Sequence, residues 1–106
     1  GAPFTGTHYT SGTAPTRAGE VAIDGTSASQ QHWSVGDTVT ISTGQPAARF
    51  VISGIATFGS SGGERFVIFT PSEARHLYQT TDDSQIEIVN IHGNGFRLVA
   101  PVPEKK

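Results

Sequence analysis

The chain has 106 residues, 35% hydrophobic and 15% charged, with 7 basic and 9 acidic side chains and a net charge of -2. That length suits one domain with one modest core. The arginines (Arg17, Arg49, Arg65, Arg75, Arg97) are scattered and the only lysines are Lys105 and Lys106, so no basic stripe points to nucleic acid or to a membrane clamp. The absence of cysteine rules out disulfides, thiol catalysis and thiolate metal sites in this stretch. No apolar run reaches the ~18 residues of a bilayer-spanning helix, so the stretch is expected to be soluble even within a membrane system.

In chain order, residues 1–19 are rich in Gly, Thr, Ser and Pro and predict a loop or extended lead-in, anchored by Phe4 and Tyr9. Glu20–Asp24 predicts a short strand with Val21 and Ile23 on one face. A short helix follows, with Asp24 or Thr26 as N-cap and Trp33 as its apolar contact. Val35 to Gly59 predicts a β-hairpin. Val35-Gly36-Asp37 makes a turn, and Val39 and Ile41 alternate with Thr38, Thr40 and Ser42. Gly44 and Pro46 break the chain before Ala48. The run Phe50-Val51-Ile52 with Ile55 suits a strand covered on both faces. Gly54 within it marks a bulge or a close backbone approach.

Ser60–Gly63 predicts a loop, and Arg65–Phe69 a strand apolar on both faces. Thr70-Pro71-Ser72-Glu73 has the pattern of a capping box, with Glu73 reaching back to the cap. The helix after it, to about Gln79, presents Ala74, Leu77 and Tyr78 on one face, and Phe69 staples onto Ala74. Gln85–Ile91 predicts a strand, His92–Gly95 a tight turn, and Phe96–Val99 a last strand before a Pro-rich exit. The expected fold is α+β: a mixed, mostly antiparallel sheet or partly closed barrel with two short helices. One domain is expected over 1–106, with its folded core at 20–99 and a tail at 100–106. The expected core is Val39, Ile41, Ile52, Ile55, Phe66, Ile68, Leu77, Ile86 and Ile88.

Reactive chemistry is sparse. His8, His32, His76 and His92 share no metal-ligand spacing, so neither metal nor cofactor is expected. Asp24 and Asp37 form an acid–base pair only if they converge; otherwise they serve a helix cap and a turn. No serine lies in a GxSxG elbow, the Ser61-Gly62-Gly63 run lacks a P-loop lysine, and Asp82-Asp83 lacks the other ligands of a calcium loop. Trp33, Phe58, Phe66 and Phe69 line either a core or a ligand groove.

Several pieces in order resemble one family. Pro15 precedes Gly19-Glu20-Val21-Ala22-Ile23-Asp24. Val35-Gly36-Asp37-Thr38-Val39 follows, and then Phe50-Val51-Ile52-Ser53-Gly54-Ile55 with Phe58-Gly59. With TPSEARHLY and IEIVNI, this set, from Pro15 to Ile91, is similar to the extracytoplasmic (MacB-like periplasmic core) domain of FtsX-like ABC transporter permeases. The family pattern has Gly-Leu where this chain has His32-Trp33. The resemblance implies a fragment of a permease ectodomain on the outer face of a membrane. It implies a non-catalytic part that contacts cargo or a partner protein and relays motion to the membrane-embedded part. Its partners would be the transmembrane part of the same permease and a separate cytoplasmic ATPase. Phe58, Ser60, Ser61, Gly62, Gly63 and Arg65 are the expected contact residues, because loops on a rigid sheet commonly carry recognition. The alternatives are a small hydrolase or metal-dependent enzyme using Asp24, Asp37 and a histidine, and an independent adhesion or carbohydrate-binding module.

Overall fold

The computed structural model describes residues 7–42, 46–58, 65–78, 88–91 and 94–99. Seven strands and two helices follow in the order β1 (Thr7–Gly12), β2 (Glu20–Asp24), α1 (Gly25–Gln31), β3 (Thr38–Ser42), β4 (Ala48–Phe58), β5 (Phe66–Phe69), α2 (Pro71–Tyr78), β6 (Ile88–Ile91) and β7 (Asn94–Val99). They build one mixed sheet in the order β1-β4-β2-β5-β7-β6-β3. Strands β2 and β4, and β5 and β7, run parallel; the other pairings among the described residues are antiparallel. Strand β3 also pairs with β4, so the sheet curls back on itself as a partly closed barrel. The fold class is the α+β expected from the sequence.

Period-two patterning decides which side chains face the barrel interior. Val21 and Ile23, Val39 and Ile41, Phe50 and Ile52, and Val67 and Phe69 fill it, joined by Ala74 and Ile91. Phe50 and Phe69 meet edge to face at 5.3 Å and 72°, an arrangement worth about 1 kcal/mol beyond its burial. The intervening residues Ala22, Ala56, Phe66 and Ile68 form a second cluster, with Tyr9 packed against it. Strands β2 and β5 are therefore apolar on both faces because both faces are covered. Ile55 and Trp33 are partly buried against the first cluster.

The structure changes five expectations. The lead-in at 1–19 contains strand β1, paired antiparallel with the C-terminal half of β4. Its residues are mostly polar because only Thr7 and Tyr9 are drawn inward, while His8 and Thr10 stay exposed. Strand β4 is not covered on both faces at Val51, which is 43% exposed between buried Phe50 and Ile52. The expected core divides: Phe66 and Ile68 lie in the second cluster, apart from Val39, Ile41 and Ile52. Thr70 caps α2, its hydroxyl accepting the Glu73 amide at 3.1 Å. The Glu73 carboxylate, however, does not close the box on Thr70: Oε1 accepts the amide of Gly19 at 3.0 Å. The last strand begins at Asn94, two residues earlier than expected. Ile86 lies outside the described residues, as do the side chains of Leu77, Tyr78 and Ile88.

Gly54 meets both sequence-level readings of a strand glycine. The β2–β4 register shifts beside it, with Val21 opposite Ile52 but Ala22 opposite Gly54. A Cβ there would sit 2.3 Å from the Thr13 carbonyl oxygen and 2.9 Å from Tyr9 Cδ2. The backbone after β1 thus lies directly on β4: the Thr13 amide donates to the Ser53 carbonyl at 2.9 Å. The Ser53 hydroxyl answers by donating to the Thr13 carbonyl at 3.0 Å.

Candidate functional site

The carboxylates come first, because a hydrolase would need them. Asp24 is 2% exposed. Its Oδ2 accepts the Ser27 amide at 2.8 Å, which caps α1. Its Oδ1 accepts the Phe66 amide at 2.9 Å, which ties α1 to the start of β5. Both oxygens are occupied by backbone donors. Asp37 accepts the Ser34 amide at 2.9 Å and closes its own turn. Gly36, at φ +99°, is free to turn its amide onto the Ile52 carbonyl at 2.8 Å, and the Ile52 amide returns a bond to the Asp37 carbonyl at 2.8 Å. The Val-Gly-Asp segment is a strap fastened to β4.

The histidines are dispersed. His8 is exposed on β1, His32 ends α1 in a left-handed conformation, His76 is exposed on α2, and His92 lies outside the described residues. Among the described residues no three His, Cys, Asp or Glu side chains gather in a way that would hold a metal ion.

The expected contact residues are only partly visible. Ser60, Ser61, Gly62 and Gly63 lie outside the described residues, as does the side chain of Phe58, whose backbone ends β4. Arg65 is half-buried, and its guanidinium donates to the side-chain oxygen of Gln30 on α1. Of the aromatic residues proposed for a groove, Phe66 and Phe69 are core.

What sequence reasoning missed is an apolar cavity of about 300 Å³ over the outer face of β5. Thr7 and Tyr9 of β1, Ala14 and Pro15 of the next loop, Ile68 and Phe69 of β5, and Pro71 at the start of α2 line it. Its volume is at the lower end of the range for small-ligand pockets. The loop forming one wall is fastened along its length. Thr13 bonds to Ser53, Thr16 donates its amide to Glu20 Oε1 at 3.0 Å, and Gly19 bonds to Glu73. The Thr16 amide, with help from Arg17, holds the Glu20 carboxyl below its ordinary pKa. Burial pushes the Tyr9 phenol above its ordinary pKa, because the phenolate would be poorly solvated there. The Thr7 hydroxyl is buried without a hydrogen-bond partner. Among the described residues the lining offers two hydroxyls, of Thr7 and Tyr9, on an otherwise apolar surface. The alternation of Thr7 and Tyr9 against His8 and Thr10 was the available signal, too polar to stand out from a loop.

Among the described residues no helix is long and apolar enough to cross a membrane. No family model, curated protein or solved structure matches the chain.

Proposed function

We propose that this chain is a non-catalytic extracytoplasmic domain of an FtsX-like ABC transporter permease. It contacts cargo or a partner protein and passes motion to the transmembrane part, while a separate cytoplasmic ATPase supplies the energy. The observation that carries this reading is the ordered set GEVAID, VGDTV and FVISGI…FG, whose two aspartates are both engaged by backbone amides. Asp24 holds α1 and β5 together, and Asp37 holds its turn. Residues spent in this way build a frame, which fits a binding and mechanical part.

The reading puts recognition at Phe58, Ser60, Ser61, Gly62, Gly63 and Arg65. Apolar segments of about 20 residues flanking this stretch in the parent gene, beside an ATPase gene, are the first expectation. The functional test replaces Ser60–Gly63 with alanines in the full-length permease. Transport, or ATPase stimulation by cargo, should fall while the melting temperature of the domain holds. Turnover of an ester, peptide or glycoside by the isolated domain, abolished by Asp37→Asn without unfolding, would overturn the proposal in favour of a hydrolase.

A further inference from the structure

Strands β4 and β5 lie on either side of β2, and the expected contact segment connects them. Its described flanks come to one place. Strand β2 runs parallel to β4 with Asp24 opposite Ala56, and antiparallel to β5 with Ile23 opposite Val67. The end of β4, the start of β5 and the passage of β2 into α1 therefore share one rim of the sheet. Helix α1 touches both flanks. A Cβ on Gly25 would stand 3.5 Å from Thr57 Cγ2, so the first turn lies against the end of β4. Asp24, the cap of α1, accepts the Phe66 amide. Gln30, in the last turn, accepts the Arg65 guanidinium.

We propose that α1 is the mount of the contact segment, with Asp24 and Gln30 as its positioning residues. Asp24 fixes the point where the chain enters β5, and Gln30 fixes the direction of Arg65 just before it. One bond would act as a pivot. Two bonds from positions six residues apart, about 9 Å along the helix axis, set an orientation. The Arg65 bond is charge-assisted, which makes it stronger than a neutral one. Gln30 is exposed, so its side chain adds nothing to the core. The role of the segment in recognition rests on the permease reading. The mount itself is a property of α1, β4 and β5.

The test has two arms. In the 106-residue chain, Gln30→Leu removes the acceptor while keeping helix propensity. Amide exchange at Phe66 should quicken roughly two- to five-fold, as the start of β5 opens more often. The Trp33 amide, which closes α1 on the Ala28 carbonyl at 2.9 Å, should keep its rate. Gln30→Glu restores an acceptor and should return the parent rate at Phe66. Adding Gln30→Leu to Arg65→Leu should change nothing further. An unchanged Phe66 rate, or an equal quickening at Trp33, would overturn the mount. The second arm measures basal ATP hydrolysis by the full-length permease with its ATPase in lipid vesicles. Gln30→Leu should shift the rate in the same direction as alanines at Ser60–Gly63, and Gln30→Glu should not. If the alanines matter and Gln30→Leu does not, the mount serves no function and the proposal fails. If neither alters hydrolysis while Phe66 exchange responds as expected, the permease reading fails and the mount stands.

Discussion

Asp24 shows how much one side chain can hold. Its role as a cap was legible, because an aspartate stands just before a helix-permitting stretch. Its second bond, to the Phe66 amide 42 positions later, was not. No local pattern announces which distant amide a buried carboxylate will meet. Asp24→Ala should leave two buried amides without acceptors and cost about 2–4 kcal/mol in denaturant melting. A loss below ~1 kcal/mol would mean that water reaches those amides. Gly54 was legible as a special position but not as to its neighbour, which is Thr13 on a segment expected to be irregular. Gly54→Ala should cost roughly 1–3 kcal/mol, since the backbone facing it has to move. An alanine variant as stable as the parent would show that the β1 end of the sheet yields freely.

Among the elements, α2 was the best signalled and still held a surprise. Thr70→Ala should cost about 1 kcal/mol through the lost cap. Glu73→Ala separates two roles: a closed capping box would affect only the helix, whereas the bond to Gly19 ties α2 to the loop beside the cavity. Glu73→Ala should therefore speed amide exchange at Gly19 while leaving the helical circular dichroism largely intact. Loss of helix without a change at Gly19 would restore the local role. Strand β1 shows the opposite error. Strand detection rests on apolar alternation, and β1 presents its inner face to a shallow outer layer where Thr7 is tolerated. Its strand character comes from pairing with β4, which composition does not display.

For the molecule as a whole, the order of elements from β2 to β7 was legible and the order of strands in the sheet was not. Hydrophobic period shows that Val21 and Ile23 share a face, but not that β2 lies between β4 and β5. That choice depends on how the chain closes on itself. The first cluster joins β2, β3, β4 and β5, so Ile52, fully buried at its centre, should be the most costly single truncation among its aliphatic residues. Ile52→Ala is expected to cost about 2–5 kcal/mol, a large part of the stability of a domain this size. Urea denaturation followed by Trp33 fluorescence measures it, and a midpoint equal to the parent's would remove β4 from the centre of the core.

Strand β4 touches β3 and β1 along one side and β2 along the other. Strands β1 and β2 precede it in the chain, so a ribosome delivers them before the strand they need. The Thr10 hydroxyl meets its acceptor, Ile55, only 45 positions later. At ~5–20 residues per second that is an interval of roughly 2–9 s, long beside the microseconds in which a hairpin closes. During that interval β1 and the apolar β2 have no partner from their own sheet. Nascent chains stalled before and after β4 emerges should differ in amide protection of β1, which should begin only once β4 appears.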